Sequence, residues 1–230
     1  MADGSSRAYE VVMRVEGGRV SAREGANGRL PAFCPIRHIN IDGSFCLNWE
    51  GAESLDIRDA DRAETWWAVL HQFIRLQERA GRLRRWPDRR QWAHGGAARH
   101  QRDAQIAASA LSPRFQADLA RGRITATRSK ANSGKGRPLR LVVDGRRVLS
   151  VFDGWGRPAT LRQACPCGRD PVPTTLRRCR DHRHQFVALA RALRDQETAE
   201  AAFWKSWRGR PCCGTMDECP LASNNHGEAR

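Results

Sequence analysis

Residues 37–47, Arg37-His38-Ile39-Asn40-Ile41-Asp42-Gly43-Ser44-Phe45-Cys46-Leu47, place an imidazole, a side-chain amide and a thiol within nine residues. Gly43 allows a turn, and Phe45 and Leu47 flank the thiol, so apolar neighbours can anchor the backbone while the sulfur faces a groove. Asn40, six residues before Cys46, can fold back and donate hydrogen bonds to an oxyanion that forms when the sulfur exchanges an acyl group. An isolated cysteine between Phe and Leu reads instead as a buried structural thiol. What surrounds the stretch decides between the two.

Upstream, residues 9–15 alternate and are rich in β-branched side chains, Gly17-Gly18 makes a turn, and a polar stretch with Asn27-Gly28 leads into residues 30–36. This pattern predicts a hairpin-like antiparallel meander. Downstream, Trp66, Val69, Leu70, Phe73, Ile74 and Leu76 recur at helical spacing over residues 63–83, after Asp59, Asp61 and Glu64, which suit a helix start. Pro87 interrupts the chain, and residues 97–120 read as further helix, broken near Ser112-Pro113. Residues 122–136 turn polar and basic, as a linker would. Segments 139–143 and 147–152 flank Asp144-Gly145, a strong hairpin signal. A helix over 184–204 separates two cysteine clusters, and there is no internal repeat. The reading is an α+β chain with three parts: a first domain over 1–121, a linker and β-hairpin over 122–160, and a cysteine-rich, mainly helical module over 161–230.

With 230 residues and 40% hydrophobic content the chain can bury a core. Its net charge of +15 points on its own to nucleic acid, an anionic surface or an acidic partner. Only Lys130, Lys135 and Lys205 are lysine, however, so 37 of the 40 basic residues are arginine, spread over every region. GC-rich coding gives that ratio in any protein, and nucleic acid is not the favoured partner. Arg84, Arg85, Arg89 and Arg90 around Trp86 form the one local basic cluster. The aromatic residues sit at core-like helical spacing rather than interleaved with arginine as a stacking platform. No stretch approaches the ~20 apolar residues of a membrane span, and the first residues lack the pattern of a signal peptide. The expectation is a cytoplasmic protein without a membrane partner.

In a reducing compartment, clustered cysteines act as metal ligands or nucleophiles more often than as disulfides. Cys165 and Cys167 form a CxC pair, and Cys179, His182 and His184 follow within one short stretch. Cys165, Cys167 and Cys179 with His182 or His184 allow a tetrahedral Cys3His zinc site. Cys212, Cys213 and Cys219 supply further candidate ligands. The seven residues Cys165, Cys167, Cys179, His182, Cys212, Cys213 and Cys219 exceed one four-coordinate site and fall one short of two unless His184 joins. Buried or redox thiols are the alternative to structural zinc. Cys34 reads as a buried strand residue or, if close to Cys46, a resolving thiol.

The stretch from His38 to Leu47 resembles the active-site signature of the E2 ubiquitin-conjugating superfamily, H-P-N-[IV]-x-x-x-G-x-[IV]-C-L. His38, Asn40, Ile41, Gly43, Ser44, Cys46 and Leu47 fall in the same order. Residues 30–35 suit the family's proline-flanked last strand. Trp49, the 63–83 helix with Gln77, and Trp86-Pro87-Asp88 suit the segments after its cysteine. Ile39 stands where the signature has proline, and the spacer from Asn40 to Cys46 is two residues shorter than the family's. The resemblance covers roughly residues 9–120 and looks like the prokaryotic E2-like group. It implies an E2-like fold of meander packed on helices, and Cys46 as the nucleophile that accepts a ubiquitin-like protein as a thioester from an E1-like adenylating partner. It implies Asn40 as the residue that polarises the thioester carbonyl or steadies the loop, His38 in a mostly structural role, and an unspecified target protein as acceptor. Some members of that group belong to antiviral defence. His94 is a weaker candidate near the site. The competing reading is a basic, zinc-stabilised module that binds nucleic acid or protein, with Cys46 structural, a silent E2-like scaffold included.

Overall fold

A computed structural model describes residues 7–49, 51, 55–88, 92–130, 136–167 and 175–222. The chain forms two compact units, one joining Met1–Asp88 with Ser206–Arg230, the other Arg89–Lys205.

In the first unit, strands β1 (Val11–Glu16) and β2 (Arg19–Glu24) pair antiparallel, with Val15 opposite Val20. Gly17 and Gly18 both adopt positive φ, 57° and 82°, which suits a tight two-residue hairpin turn. The expected third strand over 30–36 does not form. Pro31 and Pro35 lack the N–H a ladder needs, and the chain instead makes a single bridge, Cys34 to Ile39, around a short 3-10 turn at Pro35–Arg37. Helix α1 (Ala60–Leu83) begins at Asp59, whose carboxylate accepts the Arg62 N–H at 2.8 Å. Its inner face carries Trp66, Leu70, Phe73, Leu76, Gln77 and Ala80. Trp66, Leu70 and Phe73 pack with Ala22, Ile39 and Phe45 as the core of this unit.

In the second unit, helix α2 (Ala97–Leu111) ends at Ser112, whose hydroxyl accepts the Phe115 N–H and starts helix α3 (Pro113–Ala120). Four strands follow in the order β3 (Ile124–Arg128), β4 (Leu139–Val143), β5 (Arg146–Phe152) and β6 (Arg157–Pro158), each antiparallel to the next. Asp144 and Gly145 take φ of 49° and 74° between β4 and β5, the left-handed pair that the Asp-Gly hairpin signal predicts. Helix α4 (Arg180–Ser206) lays Phe186, Leu189 and Ala190 against Leu111, Phe115, Leu139, Leu141 and Val151.

The expected partition is therefore redrawn. The helices over 97–120 share one core with the sheet and with α4, so the break falls at 88–89, not at 121. The expected linker contains β3, where Ile124 and Ala126 point inward between exposed Thr125 and Thr127; residues 131–135 of that stretch, with Lys135, lie outside the described residues. The 161–230 segment is not one helical module, because its last part belongs to the first unit. Among the described residues no helix is long and apolar enough to cross a membrane.

Candidate functional site

The stretch from His38 to Cys46 is a tight antiparallel loop. Ile39 bridges Phe45, the Asn40 N–H donates to the Ser44 carbonyl at 2.8 Å, and the Cys46 N–H donates to the His38 carbonyl at 2.8 Å. Gly43 turns the tip with a φ of 78°. Ile39 and Phe45 point inward, with the Phe45 ring 4.8 Å from that of Phe73. By strand alternation Asn40, Ser44 and Cys46 face the other way. They line an open cleft of about 640 Å³ together with Asn48, Asp56 and Trp66. Cys46 is half-buried, and its thiol donates to the Asn48 carbonyl at 3.9 Å. Burial pushes the thiol above its ordinary pKa.

Asn40 is exposed at the cleft, and its amide Nδ2 donates to Ser44 Oγ at 3.0 Å. The Ser44 hydroxyl in turn donates to Asp42 at 2.6 Å, and its N–H to the same carboxylate oxygen at 3.0 Å. Those hydrogen bonds hold Asp42 below the usual carboxylate range. The amide is thus oriented by a relay within a loop two residues shorter than the signature's.

His38 is buried, in left-handed backbone geometry (φ 54°), with its ring 5.0 Å from that of Trp86. Ile39, in place of the signature's proline, donates its N–H to the Cys34 carbonyl at 3.1 Å. Proline has no such donor and restricts the residue before it. Ile39→Pro is expected to destabilise the protein by about 1–3 kcal/mol, read as a lower denaturation midpoint; an unchanged midpoint would show that the bridge contributes nothing.

Arg37, given no role by the sequence reading, and Gln77, read there only as part of the family's helix pattern, fix the base of the loop. Arg37 is buried, and it donates from Nε to Gln77 Oε1 at 2.8 Å and from Nη2 to the Gln77 carbonyl at 3.0 Å. Gln77 Nε2 returns a bond to the Arg37 carbonyl at 2.6 Å. A polar residue on the apolar face of α1 was the available signal.

In the second unit Cys165, Cys167, Cys179 and His182 converge, with all four ligand atoms within 4.8 Å of one another. Cys165, Cys167 and His182 are buried, and Cys165 Sγ lies 3.6 Å from His182 Nδ1. Burial is the main cause that pushes the Cys165 thiol up to about 12, a proton that a divalent cation displaces. The donors suit a tetrahedral metal. His182 follows Cys179 by three residues, one helical turn, while His184 points to solvent near Arg183 and does not join. His94 belongs to this unit, where Glu200 accepts at 2.5 Å and Phe203 stacks on the ring.

The remaining candidate ligands, Cys212, Cys213 and Cys219, lie in the first unit with Cys34. Arg84 of the basic cluster pairs with Asp217 and donates to the Gly214 carbonyl at 3.1 Å; Arg89 and Arg90 lie outside the described residues. Compared with known families, residues 1–88 match the prokaryotic E2 domain, and residues 93–221 match the cysteine-rich domain C-terminal to the E2 domain. Comparison with curated proteins and with solved structures finds no match.

Proposed function

Since the chain belongs to the prokaryotic E2-like family in which a cysteine-rich domain follows the E2 domain, we propose that it is a conjugating enzyme carrying a ubiquitin-like protein as a thioester on Cys46. The observation that carries this reading is Cys46 lining an open cleft beside Asn40 and Ser44 instead of facing the core. In loading, the Cys46 thiolate attacks the thioester carbonyl held by an E1-like partner and expels the partner's thiolate. In transfer, a lysine amine of the target attacks the new thioester, an isopeptide bond forms, the amine loses its proton to solvent, and Cys46 leaves as thiolate. No strong base is needed for this step, and orientation with desolvation supplies most of the rate. Asn40 stabilises the oxyanion, and His38 holds the loop through its carbonyl and its packing on Trp86.

The test combines the full chain with an E1-like partner, a ubiquitin-like protein and ATP. A thiol-sensitive adduct is expected for the native chain and none for Cys46→Ala; an adduct that survives the substitution would falsify the assignment. Because the thiolate is the attacking form and burial raises the thiol pKa, loading is expected to rise about tenfold per pH unit from neutrality upward. It levels off only at a pH above that for an unperturbed cysteine. Single-turnover loading rates across pH check this, and a rate flat from neutrality would contradict it.

The Cys165, Cys167, Cys179 and His182 set fits zinc, whose contribution would be structural: a closed four-ligand site leaves no position for substrate. That same set is what favours the second reading, a zinc-stabilised binding module with Cys46 structural. The Cys46→Ala comparison separates the two.

A further inference from the structure

We infer that Cys34, Cys212, Cys213 and Cys219 hold a second tetrahedral metal ion, of the zinc class, which ties the C-terminal segment to the E2-like domain. Cys213 Sγ lies 3.1 Å from Cys34 Sγ, across 179 residues of chain. Cys212 adjoins Cys213 in the chain, and Cys219 is buried in the same unit. The set is looser than the first cluster, whose four ligand atoms already converge. A cation bound about 2.3 Å from each sulfur draws the four onto one centre. Zinc binds as the thiolates form, so four protons leave to solvent on loading.

Three further observations support a charged centre here. A backbone N–H is already directed at one of the sulfurs: Gly214 donates to Cys212 at 3.4 Å. Such a donor stabilises a metal-bound thiolate. Arg37 is a buried cation whose hydrogen-bond partners, Gln77 and Thr215, are neutral. Its guanidinium reaches Thr215 at 3.3 Å, and Thr215 Oγ1 lies 3.1 Å from Cys213 Sγ. A four-thiolate zinc centre carries net negative charge, and the arginine offsets it. The ligand count also closes. The seven candidate ligands leave one vacancy in two four-coordinate sites, and Cys34 fills it. Cys46 is then the one cysteine in neither set.

The full chain, purified under reducing conditions with zinc supplied, is expected to hold two zinc ions by elemental analysis. Cys34→Ser and Cys219→Ser should each reduce this to one, as should Cys167→Ser, while Cys46→Ser keeps two. One zinc in the native chain, or two retained in Cys34→Ser, overturns the inference. If the serine variants do not fold, cobalt titration of the native chain decides: thiolate-to-cobalt absorbance growing to two equivalents supports the second site, and saturation at one excludes it. A Cys34–Cys213 disulfide in peptide mapping of the unreduced native chain also overturns it. None of these readouts depends on conjugating activity.

Discussion

Asn40→Ala is expected to load Cys46 at close to the native rate and to pass the acyl group to an amine about 10²-fold more slowly, the usual cost of one oxyanion donor. On the proposed function both steps pass through a tetrahedral oxyanion, and the prediction takes the E1-like partner to supply donors of its own to the first, whereas transfer to a free amine relies on this chain alone. The amide is already oriented by Ser44, which Asp42 holds in turn. Ser44→Ala therefore offers an internal comparison. If Asn40 acts on the oxyanion, loss of its orienting partner should slow transfer by less than loss of the amide itself, without a change in thermal midpoint. Equal losses in both variants together with a lowered midpoint would assign Asn40 to loop rigidity instead. Single-turnover loading and discharge to free lysine distinguish the two outcomes.

Gln77→Leu should cost about 2–4 kcal/mol, because it leaves the buried Arg37 Nε–H without its acceptor and the Arg37 carbonyl without the Gln77 donor, while the bond to the backbone carbonyl of residue 77 stays. Arg37 and Gln77 exchange three hydrogen bonds of 2.6–3.0 Å, and the residue after Arg37 begins the loop. Hydrogen exchange of the α1 amides around position 77 reads the loss in the full chain. A double variant, Arg37→Met with Gln77→Leu, should recover part of the stability, since removing both polar partners costs less than stranding one. A loss below about 1 kcal/mol in the single variant would mean that water reaches the guanidinium and the pair is not truly desolvated.

What the sequence made legible followed local physics. Helix α1 was legible because Trp66, Leu70 and Phe73 share one face, and the β4–β5 hairpin because Asp144 and Gly145 tolerate positive φ. His182 over His184 could have been decided from the helical period, which sets residues three apart on one side. The third strand failed where Pro31 and Pro35 withheld donors. Strand β3 was hidden because Thr125, Thr127 and Arg128 made its solvent face look like linker. The division of the tail was not legible at all: nothing near Cys213 in the chain points to Cys34. The loop's chemistry was visible in residue types, but the relay from Asp42 through Ser44 to Asn40 depends on a turn geometry that spacing alone does not specify.

The first unit is closed by residues from both sides of the second, and this sets an order of events during synthesis. The Cys34 side of the Cys34–Cys213 contact leaves the ribosome 179 residues before its partner, roughly 10–40 s earlier at about 5–20 residues per second. Through that interval the nascent E2-like segment lacks its closing piece, while the intervening unit, whose core is self-contained, can fold first. A growing chain therefore exposes its Cys46 loop in an unfinished frame, and acquires the finished one only after the segment that follows the second unit has emerged.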